Sequence, residues 1–73
     1  MTDMQVLCEL NAIVWKIETA AGARVKAGDT LLILESMKME IPVTAPRDGV
    51  VAIILVAEKQ QVAEGEALVV LGQ

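Results

Sequence analysis

The sequence contains no histidine, tyrosine or phenylalanine, and it has one tryptophan, one cysteine and two prolines in 73 residues. Each scarcity excludes something. Without histidine there is no imidazole for general acid–base work, and no His-bearing zinc site can form. A single thiol, Cys8, can neither close an internal disulfide nor build a cysteine-rich metal site. With Trp15 as the only aromatic residue, any core must be aliphatic. The longest apolar run, Val50 to Ala57, is far below the roughly 20 residues a membrane helix requires. Met1-Thr2-Asp3-Met4 lacks the basic start and apolar stretch of a signal peptide. The six basic residues are scattered and the formal net charge is −4, which argues against nucleic-acid binding. These exclusions leave one small domain spanning residues 1–73, expected to be cytoplasmic with a reduced thiol and no membrane contact.

What the sequence does have is Val, Ile, Leu and Ala, within a hydrophobic content of 55%. It also has a repeat. Residues 12–34 align without a gap on residues 49–71. Val14, Ile17, Ala20, Val25, Gly28, Leu31 and Leu34 match Val51, Ile54, Ala57, Val62, Gly65, Leu68 and Leu71. Gly28 and Gly65 are each followed by an acid, Asp29 or Glu66. Two similar halves in so short a chain predict a pseudo-two-fold domain, because a solenoid needs at least three units.

Each half reads as β-structure. Residues 13–18 and 50–56 are rich in β-branched side chains; 31–35 and 67–71 follow, introduced by the turn signals "AGD" and "EGE". In "APRDG" (45–49), Pro46 is suited to a type I turn and Gly49 to a positive φ beyond it. No segment carries a capped helical period, so the fold class is all-β, a sandwich or flattened barrel. Val14 and Ile17 are three apart, as are Val51 and Ile54, and strict alternation cannot bury both members of a pair. A β-bulge is therefore expected near Trp15-Lys16 and near Ala52-Ile53, leaving Trp15 partly exposed.

Between two strand-like runs lies "LESMKMEIP" (34–42), a turn region without Gly, Asn or Asp. A two-residue hairpin turn requires positive φ, which Met37 and Lys38 resist. Either the loop is longer and relaxed, with methionines filling the core edge and Lys38 simply solvated, or the breach of turn chemistry marks a functional position. The repeat places the counterpart of Met37-Lys38-Met39 just beyond Gln73, so the pseudo-dyad sets the chain ends opposite Lys38.

"ESMKME" resembles the biotin-attachment signature, in which a lysine between two methionines sits at a hairpin tip. The similarity runs from about Val6 to Leu71 and includes "VKAGDTLLILESMKMEIPVTAPRDGVV". On these residues the chain is identified as a member of the biotinyl (biotin carboxyl carrier) branch of the biotin/lipoyl-attachment domains. The resemblance implies a barrel-sandwich hybrid: two four-stranded antiparallel sheets related by a pseudo-two-fold. It implies that Lys38 accepts biotin covalently on Nζ, and that a biotin ligase reads Met37 and Met39, with Glu35 as the acid that opens the motif. It implies a non-catalytic, monomeric carrier that shuttles a carboxyl group between biotin carboxylase and carboxyltransferase partners of a biotin-dependent carboxylase, acetyl-CoA carboxylase among them. The alternatives are a lipoyl carrier, with lipoate on the same lysine, a protein accepting both groups, or a structural interaction module. Lipoyl lysines usually follow an acid and precede a small residue, whereas both neighbours here are Met.

The sequence departs from the family in three places. Ser36 stands where alanine is commoner. "CELNA" (8–12) replaces a Pro-containing turn ending in Gly, with Asn11 able to supply unusual backbone angles. Lys59 occupies the repeat position of Gly22, so that turn is either strained or different in the two halves. The gap-free repeat leaves no room for the inserted thumb that some relatives carry between the second and third strands.

Overall fold

A computed structural model describes residues 3–72. Eight strands form: β1 (Met4–Leu7), β2 (Ala12–Ile17), β3 (Arg24–Val25), β4 (Thr30–Ser36), β5 (Met39–Thr44), β6 (Gly49–Ile54), β7 (Gln61–Val62) and β8 (Ala67–Gly72). They pair into two antiparallel sheets of four, ordered β1-β8-β6-β3 and β5-β4-β2-β7. Adding 37 to each residue number carries β1 onto the last four residues of β5, β2 onto β6, β3 onto β7 and β4 onto β8. The duplication read in residues 12–71 thus extends to the first strand, and it exchanges one whole sheet for the other.

The expected bulges are present. The β2–β4 register shifts between Val14 and Lys16, and the β6–β8 register shifts between Val51 and Ile53. The extra residue lets Val14 and Val51 sit fully buried while Ile17 and Ile54 still pack against the core. Trp15 is 46% exposed, as the bulge requires. A second symmetric pair of shifts falls at Leu31, between β4 and β5, and at Leu68, between β1 and β8. There consecutive residues Leu31-Leu32 and Leu68-Val69 are all buried. Apart from Cys8 the core is aliphatic, and each buried Val or Leu contributes roughly 1.5–3 kcal/mol.

The connections repeat as well. Gly28 donates its N–H to Ala45 and Gly65 to Cys8, each bond 2.8 Å, with φ near +90° at both glycines. Asp48 Oδ1 accepts from the Ala27 N–H at 2.8 Å, and Asn11 Oδ1 from the Glu64 N–H at 2.9 Å. Asn11 therefore acts through its side chain; its φ is not positive, contrary to the sequence expectation. Gly49 also differs from expectation. It lies at the start of β6 without a positive φ, and the preceding segment is a bend. A Cβ at Gly49 would fall 2.5 Å from the Gly72 carbonyl oxygen, so close backbone approach is what requires glycine there. Lys59 does adopt the left-handed backbone of its counterpart Gly22, at φ 73°, so the turn is the same in both halves and strained in one.

Every sequential connection except one crosses between the sheets. The exception, among the described residues, is β4–β5, a direct hairpin in one sheet. The globule measures 36 × 18 × 17 Å. Val14 lies beside Leu34, toward the hairpin tip; β2 runs away from it to the turn at Gly22, which bonds Val51 beside Leu71, the partner of Met4. The hairpin tip and the described ends of the chain therefore occupy opposite poles.

The lysine hairpin as candidate functional site

The β4–β5 ladder runs Leu34↔Ile41, Glu35↔Glu40, Ser36↔Met39 and closes over two residues, Met37 and Lys38. Their φ angles are 53° and 66°. Positive φ at both central residues is the geometry of a type I′ turn, whose twist matches the flanking strands and which normally selects Asn-Gly. The longer, relaxed loop is thus not formed. Nor do the methionines fill the core edge: Met37 is 87% exposed and Met39 57%. Each left-handed non-glycine residue costs on the order of 1 kcal/mol, and no packing at the tip offsets it. The ladder and the Leu34 anchor in the core hold the turn instead.

Lys38 is exposed, and among the described residues its ammonium has no ion pair or hydrogen bond. An ion pair joins Lys16 to Glu18 at 3.8 Å on the outside of sheet β5-β4-β2-β7. Glu35 is exposed and lies directly across from Glu40, two ladder steps below the turn. That pairing follows from a two-residue turn at Met37-Lys38, but sequence reading singled out Glu35 and passed over Glu40. Like charges opposite each other are mildly destabilising, so this pair is not there for stability. The structure brings Glu35, Met37, Lys38 and Met39 together on one projecting hairpin. No histidine, tyrosine or metal-holding cluster accompanies them among the described residues. The arrangement presents a primary amine at the tip of the hairpin.

The sequence profile described as "Biotin-requiring enzyme" (biotin/lipoyl) matches residues 2–71. The chain belongs to the biotin/lipoyl-attachment family. Within this family it is 40% identical to a biotin/lipoyl attachment protein of Bacillus subtilis, over 93% of each chain. It is 36% identical to a biotinylated protein homologue of Mycobacterium leprae, over 90% of this chain and 93% of that one. Similar segments occur inside much longer proteins. The chain covers only 10% of a biotin-dependent acyl-coenzyme A carboxylase subunit of M. leprae, at 36% identity. Among solved structures it superposes with TM-score 0.91 on 6% of the urea carboxylase of Kluyveromyces lactis, at 32% identity over 97% of this chain. A single-chain long-chain acyl-CoA carboxylase gives the same TM-score at 30% identity, with this chain spanning 7% of its length. The chain thus resembles carrier segments of biotin-dependent carboxylases.

Proposed function

We propose that the protein is a biotin carboxyl carrier: Lys38 receives biotin from a biotin ligase and presents it to carboxylase and carboxyltransferase sites. The observation that carries this reading is the unpartnered Lys38 amine on a two-residue turn at one pole of a rigid shell. The residues fit the group. An amine with no ion pair can be acylated without breaking anything in the fold, and Met37 and Met39 are exposed for a ligase to grip. When attached, biotin supplies a ureido nitrogen able to hold a carboxyl group.

The chain's own part is mechanical and electrostatic. The type I′ turn holds the Lys38 side chain outside the sandwich, so the attached group is free to leave the barrel. Acylation removes the lysine charge and leaves Glu35 and Glu40 unopposed beneath the tip. With the described ends, Asp3 and Gly72, away from the tip, a tether there would not crowd the arm. Tethering turns the encounter with each enzyme site into a confined search at an effective concentration on the order of millimolar. The free, buried Cys8 fits a reducing cytoplasm.

Co-expression with a biotin ligase should convert the wild-type chain to a streptavidin-reactive species, while Lys38→Arg should remain unreactive. Labelling by a lipoate ligase alone would replace biotin with lipoate in this reading. Labelling by neither enzyme would leave a binding module without an attached group.

A further inference from the structure

The apolar inner face of β5 continues past the end of the sandwich. Alternation puts Met39, Ile41 and Val43 on one face, with Glu40 and Pro42 exposed on the other. Ile41 and Val43 pack against the core but stay partly exposed, because β5, like β1 in the other sheet, is an edge strand. Between those edges lies a groove of about 770 Å³, lined by Leu34, Ile41 and Val43 on one side and by Val6 and Leu10 on the other. Glu9 and Glu64 also line it, and both are exposed. Ile41 is three residues from Lys38, roughly 10 Å along the strand. A lysine side chain lengthened by the pentanoyl chain of biotin spans that distance. Met39, exposed, lies between Lys38 and Ile41, on the same face of β5 as Ile41.

We propose that this groove is a resting site for the biotin carried by Lys38, an inference that rests on the carrier reading. Leu10 and Ile41 receive the apolar thiolane ring, and the Glu9 and Glu64 carboxylates accept from the ureido N–H groups. An added strand from a partner fits less well, since Pro42 removes a donor from the free edge of β5. Because the group is tethered at an effective concentration on the order of millimolar, an intrinsic affinity equally weak suffices to populate the rested state. Docking on an enzyme then competes with resting, and the arm is released where the enzyme binds biotin more tightly.

The test compares amide and methyl NMR spectra of the unmodified and the biotinylated protein. Resting predicts shifts at Leu10, Ile41 and Val43, and cross-relaxation between biotin ring protons and the Leu10 and Ile41 methyls. Leu10→Glu should abolish that cross-relaxation and speed streptavidin capture severalfold. If that variant fails to fold, the wild-type comparison decides alone. Shifts confined to residues 36–40, with no ring-to-methyl contact, overturn the inference and leave the carrier reading intact. A protein that gains no biotin on Lys38 overturns both.

Discussion

The two halves of the molecule fold alike and are used differently. Leu34 and Leu71, Val14 and Val51, and Gly28 and Gly65 occupy the same places in mirror roles, with matching burial and turn geometry. Where the halves part, the difference is local and has a cause. Ala12 becomes Gly49 because the Gly72 carbonyl comes too close. Gly22 becomes Lys59 with the backbone unchanged. The Lys16–Glu18 ion pair on one outer face becomes the exposed Ile53 and Leu55 on the other. Above all, β4 turns directly into β5, whereas β8 ends beside the start of β1. The symmetry generates two equivalent poles, and only one of them holds a closed hairpin with a lysine.

The comparison can be broken most forcefully in the core. Leu34→Ala and Leu71→Ala should each cost about 2–5 kcal/mol, enough to unfold much of so small a domain, and by similar amounts. Chemical denaturation of the two variants side by side would show whether the halves are packed as equals. Gly49→Ala should cost about 1–3 kcal/mol, because its Cβ meets backbone that cannot swing aside. Alanine already stands at the equivalent position 12, so a silent Gly49→Ala would mean that the two strand starts are interchangeable. Next comes the left-handed turn. Lys59→Gly should gain about 1 kcal/mol and Gly22→Lys should lose about as much, since nothing lies within 4 Å of a Cβ at Gly22 and only φ is at stake. Smallest is the surface exchange. Ile53→Lys with Leu55→Glu, copying the other half's ion pair, should change stability by no more than about 0.5 kcal/mol in the same assay.

The sequence made some of this plain and concealed the rest. Val14 and Ile17 could not both be buried in a regular strand, so the bulge at Trp15 followed from spacing alone, and the repeat doubled it. Four of the strands were visible, two as β-branched runs and two from the turn signals that introduce them. The two-residue strands β3 and β7 are too short for any pattern to register, and β1 shares only Val6 with its counterpart in β5, at Val43. Gly49 was legible as glycine but not for its reason, because the Gly72 carbonyl belongs to a strand far along the chain. Asn11 invited a reading from its backbone tolerance, whereas its side chain serves the Glu64 amide. At the site, the flanking methionines and the misfit turn residues marked Lys38. The tightness of the turn and the exposure of both methionines came only with the fold.

The central claim is that one amine, held on a strained two-residue turn at the unpaired pole of a duplicated barrel, is the point of attachment. Peptide mapping by mass spectrometry, after treatment with a biotin ligase, ATP and biotin, tests it most directly. The account predicts a single biotin on the peptide bearing Lys38, with Lys59 unmodified despite its similar left-handed backbone. Biotin on Lys59 or another lysine, or on none, would contradict it.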